Sequence, residues 1–203
     1  MDAGVILGLV AGSVHLASYA LYNREMLRGH IRPNTATWIL WTFLATMNTA
    51  SYIVMSQDLA KAATPIAGCA ACIVTLGLSA GKGRLSGLNR LDAAVLAIGI
   101  AAGLFWWTSR SAAGANLLLQ LAFVVSNIPT FNGVWRDPRI ERPLPWFGFA
   151  AAYMLNLAVV IMRWRGSYAD LAYPVVSLAA DGGVGVVIVW RGRQLARRRD
   201  ISR

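Results

Sequence analysis

Charged residues are scarce in this chain and unevenly spread. They make up 14% of its 203 residues, whereas a soluble domain carries roughly 25%. The charges fall in short clusters between apolar stretches of about 20 residues, the length that a helix needs to cross a bilayer core. Because such stretches recur along the whole sequence, one secretory signal in front of a polar protein does not explain them. The composition predicts a polytopic membrane protein.

The chain also lacks the common motifs of soluble enzymes. No H-E-x-x-H zinc motif or Walker phosphate loop occurs, and no polar segment is long enough to form a soluble domain. We therefore predict no catalytic residues, no metal ligands and no cofactor. There are only two cysteines, Cys69 and Cys72, and they form a C-x-x-C inside an apolar stretch. A thiolate is disfavoured there, so packing is the simpler role, with a membrane thiol oxidoreductase as an alternative.

Seven apolar stretches are long enough to span a membrane. We place them at 4–22, 36–56, 63–80, 93–108, 112–131, 144–162 and 171–190. Lipid cannot satisfy free backbone polar groups, so these spans must be helices, and no strand-like alternation suggests a barrel. The predicted fold is an all-α membrane protein with seven transmembrane helices.

Basic residues concentrate in alternate loops, and this sets an orientation. One side holds 15 of the 19 Lys and Arg residues: Arg24, Arg28, Arg32, Lys82, Arg84, Arg90, Arg136, Arg139, Arg142 and six arginines from Arg191 onwards. The other side holds Lys61, Arg110, Arg163 and Arg165. Because cytoplasmic loops retain basic residues, we expect the N-terminus outside and the C-terminus in the cytoplasm. The same spread over loops argues that the net charge of +10 does not serve nucleic-acid binding.

The sequence repeats internally. A shift of 108 residues places Trp38 on Trp146 and Asn48 on Asn156, and one further residue places Pro65 on Pro174. The first three and last three spans therefore form two halves. Three crossings reverse the chain direction, so the fourth span acts as an inverting linker and the two repeats run parallel. The predicted units are 1–84 (first repeat), 85–111 (linker helix), 112–193 (second repeat) and 194–203 (a basic cytoplasmic tail).

This three-plus-one-plus-three plan resembles the SWEET sugar facilitators and the PQ-loop transporters. Pro33, Pro129, Pro143 and Pro145 fall near cytoplasmic helix ends, where that group carries prolines. The segments Arg32-Pro33-Asn34-Thr35-Ala36-Thr37-Trp38 and Ile128-Pro129-Thr130 are also similar to an uncharacterised group of small bacterial membrane proteins. The resemblance implies a transporter of small polar solutes that works by alternating access between its halves.

Two ionisable side chains lie inside predicted spans. Asp181 is acidic, and a charge at a helix centre costs about 2.5–3.5 kcal/mol on insertion scales, so such residues usually face a cavity or a partner. We predict that Asp181 couples protons; the alternative is a protonated Asp bonded to a neighbouring helix. His15 could share that proton, or be a neutral His bonded to a helix carbonyl.

The candidate substrate-binding residues are polar or aromatic side chains within the spans. Asn48 and Asn156 occupy equivalent points of the two repeats near the midplane, where sites in such folds lie. Interhelical hydrogen bonding, worth under about 1–2 kcal/mol, is the alternative for both. The remaining candidates are Ser18, Ser126, Gln120 and Tyr153 as polar lining, and Trp38 and Trp146 for stacking on a solute or for anchoring at the membrane interface.

The expected function is thus small-solute transport, with proton coupling as an option. The alternatives are a seven-helix receptor, sensor or assembly factor, and the thiol oxidoreductase. The Ala- and Arg-rich composition favours a multi-pass protein of a bacterial inner membrane. Its expected partners are a small-molecule solute and the lipid bilayer, and a homo-oligomer is left open.

Overall fold

The computed structural model describes residues 2–31, 35–82 and 90–201, and these residues form helices without strands. The seven long helices are α1 (Ala3–Leu27), α2 (Thr35–Ser56), α3 (Leu59–Lys82), α4 (Arg90–Ser109), α5 (Ala112–Arg136), α6 (Pro143–Met162) and α7 (Ala169–Ile201). A short 3₁₀ turn, Pro138–Ile140, precedes α6. The predicted all-helical architecture is confirmed.

All seven helices are long and apolar enough to cross a membrane. Large apolar side chains point outward on them, including Ile73, Trp107, Leu121 and Ile161, each more than half exposed. In water, apolar surface on this scale would drive association, whereas lipid tails solvate it. The structure is that of a multi-pass membrane protein.

Local sequence explains where several helices begin. Asp2 caps α1 by accepting a hydrogen bond from the Gly4 N–H at 3.3 Å, and Ser111 caps α5 through the Gly114 N–H at 3.1 Å. Pro143 opens α6, where a missing N–H costs nothing. The helices extend past most predicted ends, and α7 continues to Ile201 through the segment that we expected to be a separate tail.

Some sequence predictions fall outside the described residues. These are the Arg32-Pro33-Asn34 part of the first motif, the basic residues Arg84 and Arg203, and the predicted boundary between residues 84 and 85.

Helix α1 packs on α3 and α6, and α5 packs on α7 and α2. Small residues allow these close crossings. A Cβ on Gly8 would lie 2.4 Å from the Ala60 carbonyl oxygen, and a Cβ on Gly148 would lie 2.3 Å from Ser18 Oγ. Helix α4 packs on α5 and, less extensively, on α2. It therefore lies at the side of the bundle, away from α1, α3 and α6.

Prolines inside α3 and α7 each leave one backbone carbonyl without its usual helical hydrogen bond, at the same end of the bundle. Pro65 has no N–H to donate to the carbonyl of Lys61, and Pro174 has none for the carbonyl of Asp170. Each freed carbonyl receives a side chain from the other half of the chain. Asn156 Nδ2 donates to the Lys61 oxygen at 2.8 Å, and Tyr52 OH donates to the Asp170 oxygen at 2.9 Å.

The side chains of the same two residues also meet. Lys61 Nζ lies 2.6 Å from Asp170 Oδ2, and the two side chains are 0% and 3% exposed. A second ion pair lies at the same end, where Arg163 Nε contacts Asp58 Oδ2 at 2.7 Å and its Nη1 contacts Asp2. We call the Lys61–Asp170 pair with its Asn156 and Tyr52 hydrogen bonds the polar lock. The polar lock joins α3 and α6 to α2 and α7 and closes this end of the bundle.

The polar lock makes a stability prediction. Lys61→Met leaves Asp170 buried without its partner, which typically costs roughly 3–5 kcal/mol, and Asp170→Asn strands the lysine in the same way. Thermal unfolding in detergent micelles should show both single variants strongly destabilised. The double variant Lys61→Met/Asp170→Asn buries no charge and should recover much of the loss. Equal melting temperatures for wild type and both single variants would contradict a structural role for the pair.

A cavity lined by aromatic rings and one carboxylate

An internal cavity lies between the two three-helix groups. Its wall is built by α1, α2 and α3 from the first half and by α5, α6 and α7 from the second, and no residue of α4 lines it. Its volume is about 60 Å³. One water molecule needs only about 10–15 Å³ by such a measure, so there is room for several waters or one small solute.

Aromatic rings dominate the cavity wall. Tyr19, Tyr22, Trp38, Trp41, Phe123, Trp146, Phe149, Tyr153 and Tyr173 all line it. Most of them touch one another edge-on or tilted, with ring centroids 4.7 Å apart for Tyr19 and Phe149 and 5.1 Å apart for Trp38 and Trp41. Such contacts fix the ring orientations and present π faces and ring edges to the space between them.

Asp181 is the one carboxylate among the cavity-lining residues. It is partly buried on α7, and no hydrogen bond or ion pair joins it to another described residue. Among the described residues, no Lys or Arg lines the cavity. A charged carboxylate that is partly removed from water and has no hydrogen-bond donor carries an unfavourable free energy. Binding of a proton or of a cationic group at Asp181 would remove that cost.

His15 and the cysteines lie on the α1–α3 side of the cavity. His15 Nδ1 lies 3.1 Å from the Thr64 carbonyl and must donate to it, because a carbonyl can only accept. His15 fits against Gly68, where a Cβ would lie 2.7 Å from the ring. Tyr19 OH lies 3.1 Å from Cys72 Sγ, and Cys69 lines the cavity one turn earlier.

Asn48 connects the cavity to a buried polar network between α2 and α5. Its Oδ1 accepts from Asn116 Nδ2 at 3.0 Å and from Gln120 Nε2 at 2.9 Å, and Asn116 also donates to Ser51 Oγ. All four side chains are almost fully buried. The network uses the Asn48 oxygen for interhelical bonding while the residue itself still lines the cavity.

The structure brings together six of the ten predicted site residues. His15, Trp38, Asn48, Trp146, Tyr153 and Asp181 line the cavity. The other four make interhelical or local contacts instead. Asn156 belongs to the polar lock, Gln120 to the Asn48 network, Ser18 donates to the Val14 carbonyl, and Ser126 accepts from Trp41 Nε1.

A further carboxylate lies at the end of the bundle opposite the polar lock. Glu141, just before α6, accepts from Trp146 Nε1 at 3.1 Å and from Tyr22 OH at 3.4 Å, and both donors line the cavity. Burial raises the pKa of Glu141 to about 7, although the two hydrogen bonds oppose that rise. Glu141 therefore binds or releases a proton near neutral pH, next to two residues of the cavity wall.

Sequence reasoning missed several of these residues. Glu141 lies between two predicted spans, and Asp170 lies one residue before the predicted span 171–190. The hydropathy pattern therefore gave no reason to expect either residue at a buried site. A signal for the second existed, because the 109-residue offset that pairs the two prolines also pairs Lys61 with Asp170. Helical spacing of Tyr19 with Tyr22, and of Trp146 with Phe149, likewise marked an aromatic face.

Glu141 gives a pH-dependent prediction. Its folded-state pKa of about 7 lies above the ordinary 4.5, so its contribution to stability is complete below pH 4.5 and is lost as the pH rises to about 7 and beyond. The full loss is roughly 3 kcal/mol. Glu141→Gln cannot ionise, so thermal unfolding measured across this range should show a flatter pH dependence than the wild type.

Asp137→Asn is the matched control for that measurement. Asp137 lies in the same loop but is exposed and paired with Arg139, which holds the pKa of its carboxyl below the usual value. Its stabilising effect is therefore present above its ordinary pKa and is lost only at more acidic pH. A Glu141→Gln profile that parallels the wild type between pH 4.5 and 7 would contradict the assignment.

Comparison of this chain with protein-family models, curated proteins and solved structures finds no match.

Proposed function

We propose that this protein transports a small solute across a bacterial inner membrane by alternating access between two parallel three-helix halves. The observation that carries the proposal is a cavity between the halves, with a carboxylate at its wall that has no hydrogen-bond or ion-pair partner among the described residues. A packed and dry interface would have favoured a receptor or an assembly factor. Substrate sites of repeat-built transporters lie at this place in the fold.

The packing supports two parallel repeats. Exchanging the halves maps α1 on α5, α2 on α6 and α3 on α7. Under that exchange the α1–α6 contact corresponds to the α5–α2 contact, and both are extensive. The ion pair of the polar lock follows the same exchange, since Lys61 with Pro65 corresponds to Asp170 with Pro174. The linker helix α4 has no counterpart, as expected for an inserted crossing.

The cations at the lock end support an outward position for that end. Of the four basic residues predicted outside, Lys61 and Arg163 form close ion pairs with carboxylates, and Arg165 lies 4.0 Å from Asp58. The other side carries 15 of the 19 basic residues of the sequence. Because cytoplasmic loops are enriched in Lys and Arg, this excess supports a cytoplasmic position for that end.

The polar lock acts as the outer gate in this scheme. It leaves Asp170 Oδ1 and Asn156 Oδ1 buried with no partner among the described residues, so its closed form is not fully satisfied. Water could serve those oxygens and both proline-freed carbonyls when the gate opens. The free-energy difference between closed and open forms is then smaller than a fully bonded interface would give, as a transport cycle requires.

Transport and its coupling can be tested at Asp181. Purified protein reconstituted in liposomes should take up solute, and an imposed proton gradient should change the rate. Asp181→Asn has no proton to exchange and should lose at least 90% of gradient-driven uptake, roughly a tenfold change. Asp137→Asn, an exposed Asp→Asn change outside the cavity, is the matched control and should keep wild-type uptake.

Two outcomes would oppose this proposal in different ways. Uptake by Asp181→Asn equal to the wild type, with the same gradient response, removes the coupling role of that residue. Ligand binding without any uptake favours the receptor or sensor. The variant Cys69→Ala/Cys72→Ala tests the thiol oxidoreductase, because full uptake without either thiol leaves no role for one.

The native cysteines also report on the gate. Both line the cavity, and they are the two cysteines of the sequence. With the polar lock closed, a membrane-impermeant methanethiosulfonate reagent added outside intact cells should label the wild type slowly. Lys61→Met leaves the Asp170 carboxylate unpaired in the closed lock, so labelling should accelerate by about tenfold. Unchanged labelling would show that this end is not the gate, and Cys69→Ala/Cys72→Ala supplies the background.

A further inference from the structure

The cavity wall has an unusual chemical balance for a site that would bind a neutral polar solute. Nine aromatic residues and one carboxylate line it, together with few polar groups. Some of these polar groups are engaged: Asn127 Nδ2 donates to the Phe123 carbonyl, and the Asn48 oxygen accepts from Asn116 and Gln120. Two buried atoms of the lining residues, His15 Nε2 and Asn127 Oδ1, have no partner among the described residues. A sugar needs many hydrogen bonds from its site, and few remain here.

The same wall is well suited to a positive charge. The face of an aromatic ring attracts a cation within about 6 Å, and the attraction is strongest where water is excluded. Quaternary ammonium groups are bound by aromatic cages of this composition. Asp181 adds a formal negative charge, and no Lys or Arg lines the cavity to neutralise it. An organic cation would therefore satisfy both the rings and the carboxylate.

We infer that the substrate of this cavity is a small organic cation, a protonated amine or quaternary ammonium compound, held by the aromatic rings with Asp181 as its counter-ion. The inference rests on the proposed function for its transport step, but binding is independent of that step. Rings from both halves take part, Tyr19, Trp38 and Trp41 from the first and Trp146, Phe149 and Tyr153 from the second. One bound cation thus contacts both moving bodies.

The proton and the cation compete in this arrangement. One carboxylate can be neutralised by either but not by both, which is the requirement for exchanging one for the other across the membrane. The other titratable side chains on the wall are His15, Tyr19 and Tyr22 on α1, Cys69 and Cys72 on α3, Tyr153 on α6 and Tyr173 on α7. Helices α2 and α5 contribute no titratable side chain to it.

Choline and its neutral isostere separate charge from shape. In 3,3-dimethylbutan-1-ol a carbon replaces the nitrogen, so the size is nearly the same and the charge is gone. Scintillation proximity binding on the purified full-length protein should show saturable binding of radiolabelled choline. Tetramethylammonium should displace it, whereas the neutral alcohol should need at least tenfold higher concentrations. Equal potency of the alcohol, or displacement by glucose but not by tetramethylammonium, would overturn the inference.

Variants assign the binding to the named groups. Asp181→Asn should weaken choline binding by about tenfold or more, and Asp137→Asn should leave it unchanged. At Trp41, which is only partly buried, Phe keeps a ring and should retain binding within a few-fold, while Leu should lose about tenfold. Thermal unfolding of each variant confirms that it is folded. Folded Asp181→Asn with wild-type affinity would overturn the role of the carboxylate.

The outcomes also separate this inference from the proposed function. Choline binding without uptake into liposomes keeps the organic-cation site and removes transport. Uptake of a neutral solute by a protein that does not bind choline keeps transport and removes the organic-cation site.

Discussion

A proline inside a membrane-spanning helix leaves a backbone carbonyl without its donor, and lipid cannot supply another. In this protein that constraint arises at Pro65, Pro129 and Pro174. At Pro65 and Pro174 a side chain from the other half of the chain donates to the freed carbonyl. The residues whose carbonyls are freed, Lys61 and Asp170, also carry the buried ion pair. The hydrogen bonding of these two carbonyls and the neutralisation of the two buried charges therefore depend on the same contact between the halves.

The cavity begins one helical turn from this contact, at Pro65, which lines its wall. Contacts between the aromatic rings fix the shape of the wall, and its carboxylate has no hydrogen-bond or ion-pair partner among the described residues. At the other end Glu141 accepts hydrogen bonds from Tyr22 and Trp146, two residues of the cavity wall, and burial raises its pKa to about 7. Ionisable side chains therefore lie at both ends of the bundle.

The number and type of the helices could be read from hydropathy because each span needs the same length of apolar sequence. Their boundaries were less predictable, since α7 continues as a helix well past its apolar part. Among the site residues, Asp181 was predictable because a lone acid in an apolar span has few structural uses. The role of Asn156 was not predictable, because an amide can bond a backbone carbonyl or a ligand equally well. It bonds the Lys61 carbonyl because Pro65 leaves that carbonyl without its helical donor.

The sequence by itself determined that the chain is helical, that it has seven apolar stretches long enough to cross a membrane, and that some of its charged residues and prolines recur at a fixed offset. These properties depend on composition and spacing, which the linear chain contains. Only the tertiary structure decided that Lys61 meets Asp170, that Asn156 belongs to the polar lock and not to the cavity, and that aromatic residues from five helices surround one carboxylate. Those contacts join residues about 100 positions apart, and their geometry is set by how the helices pack and not by any local preference.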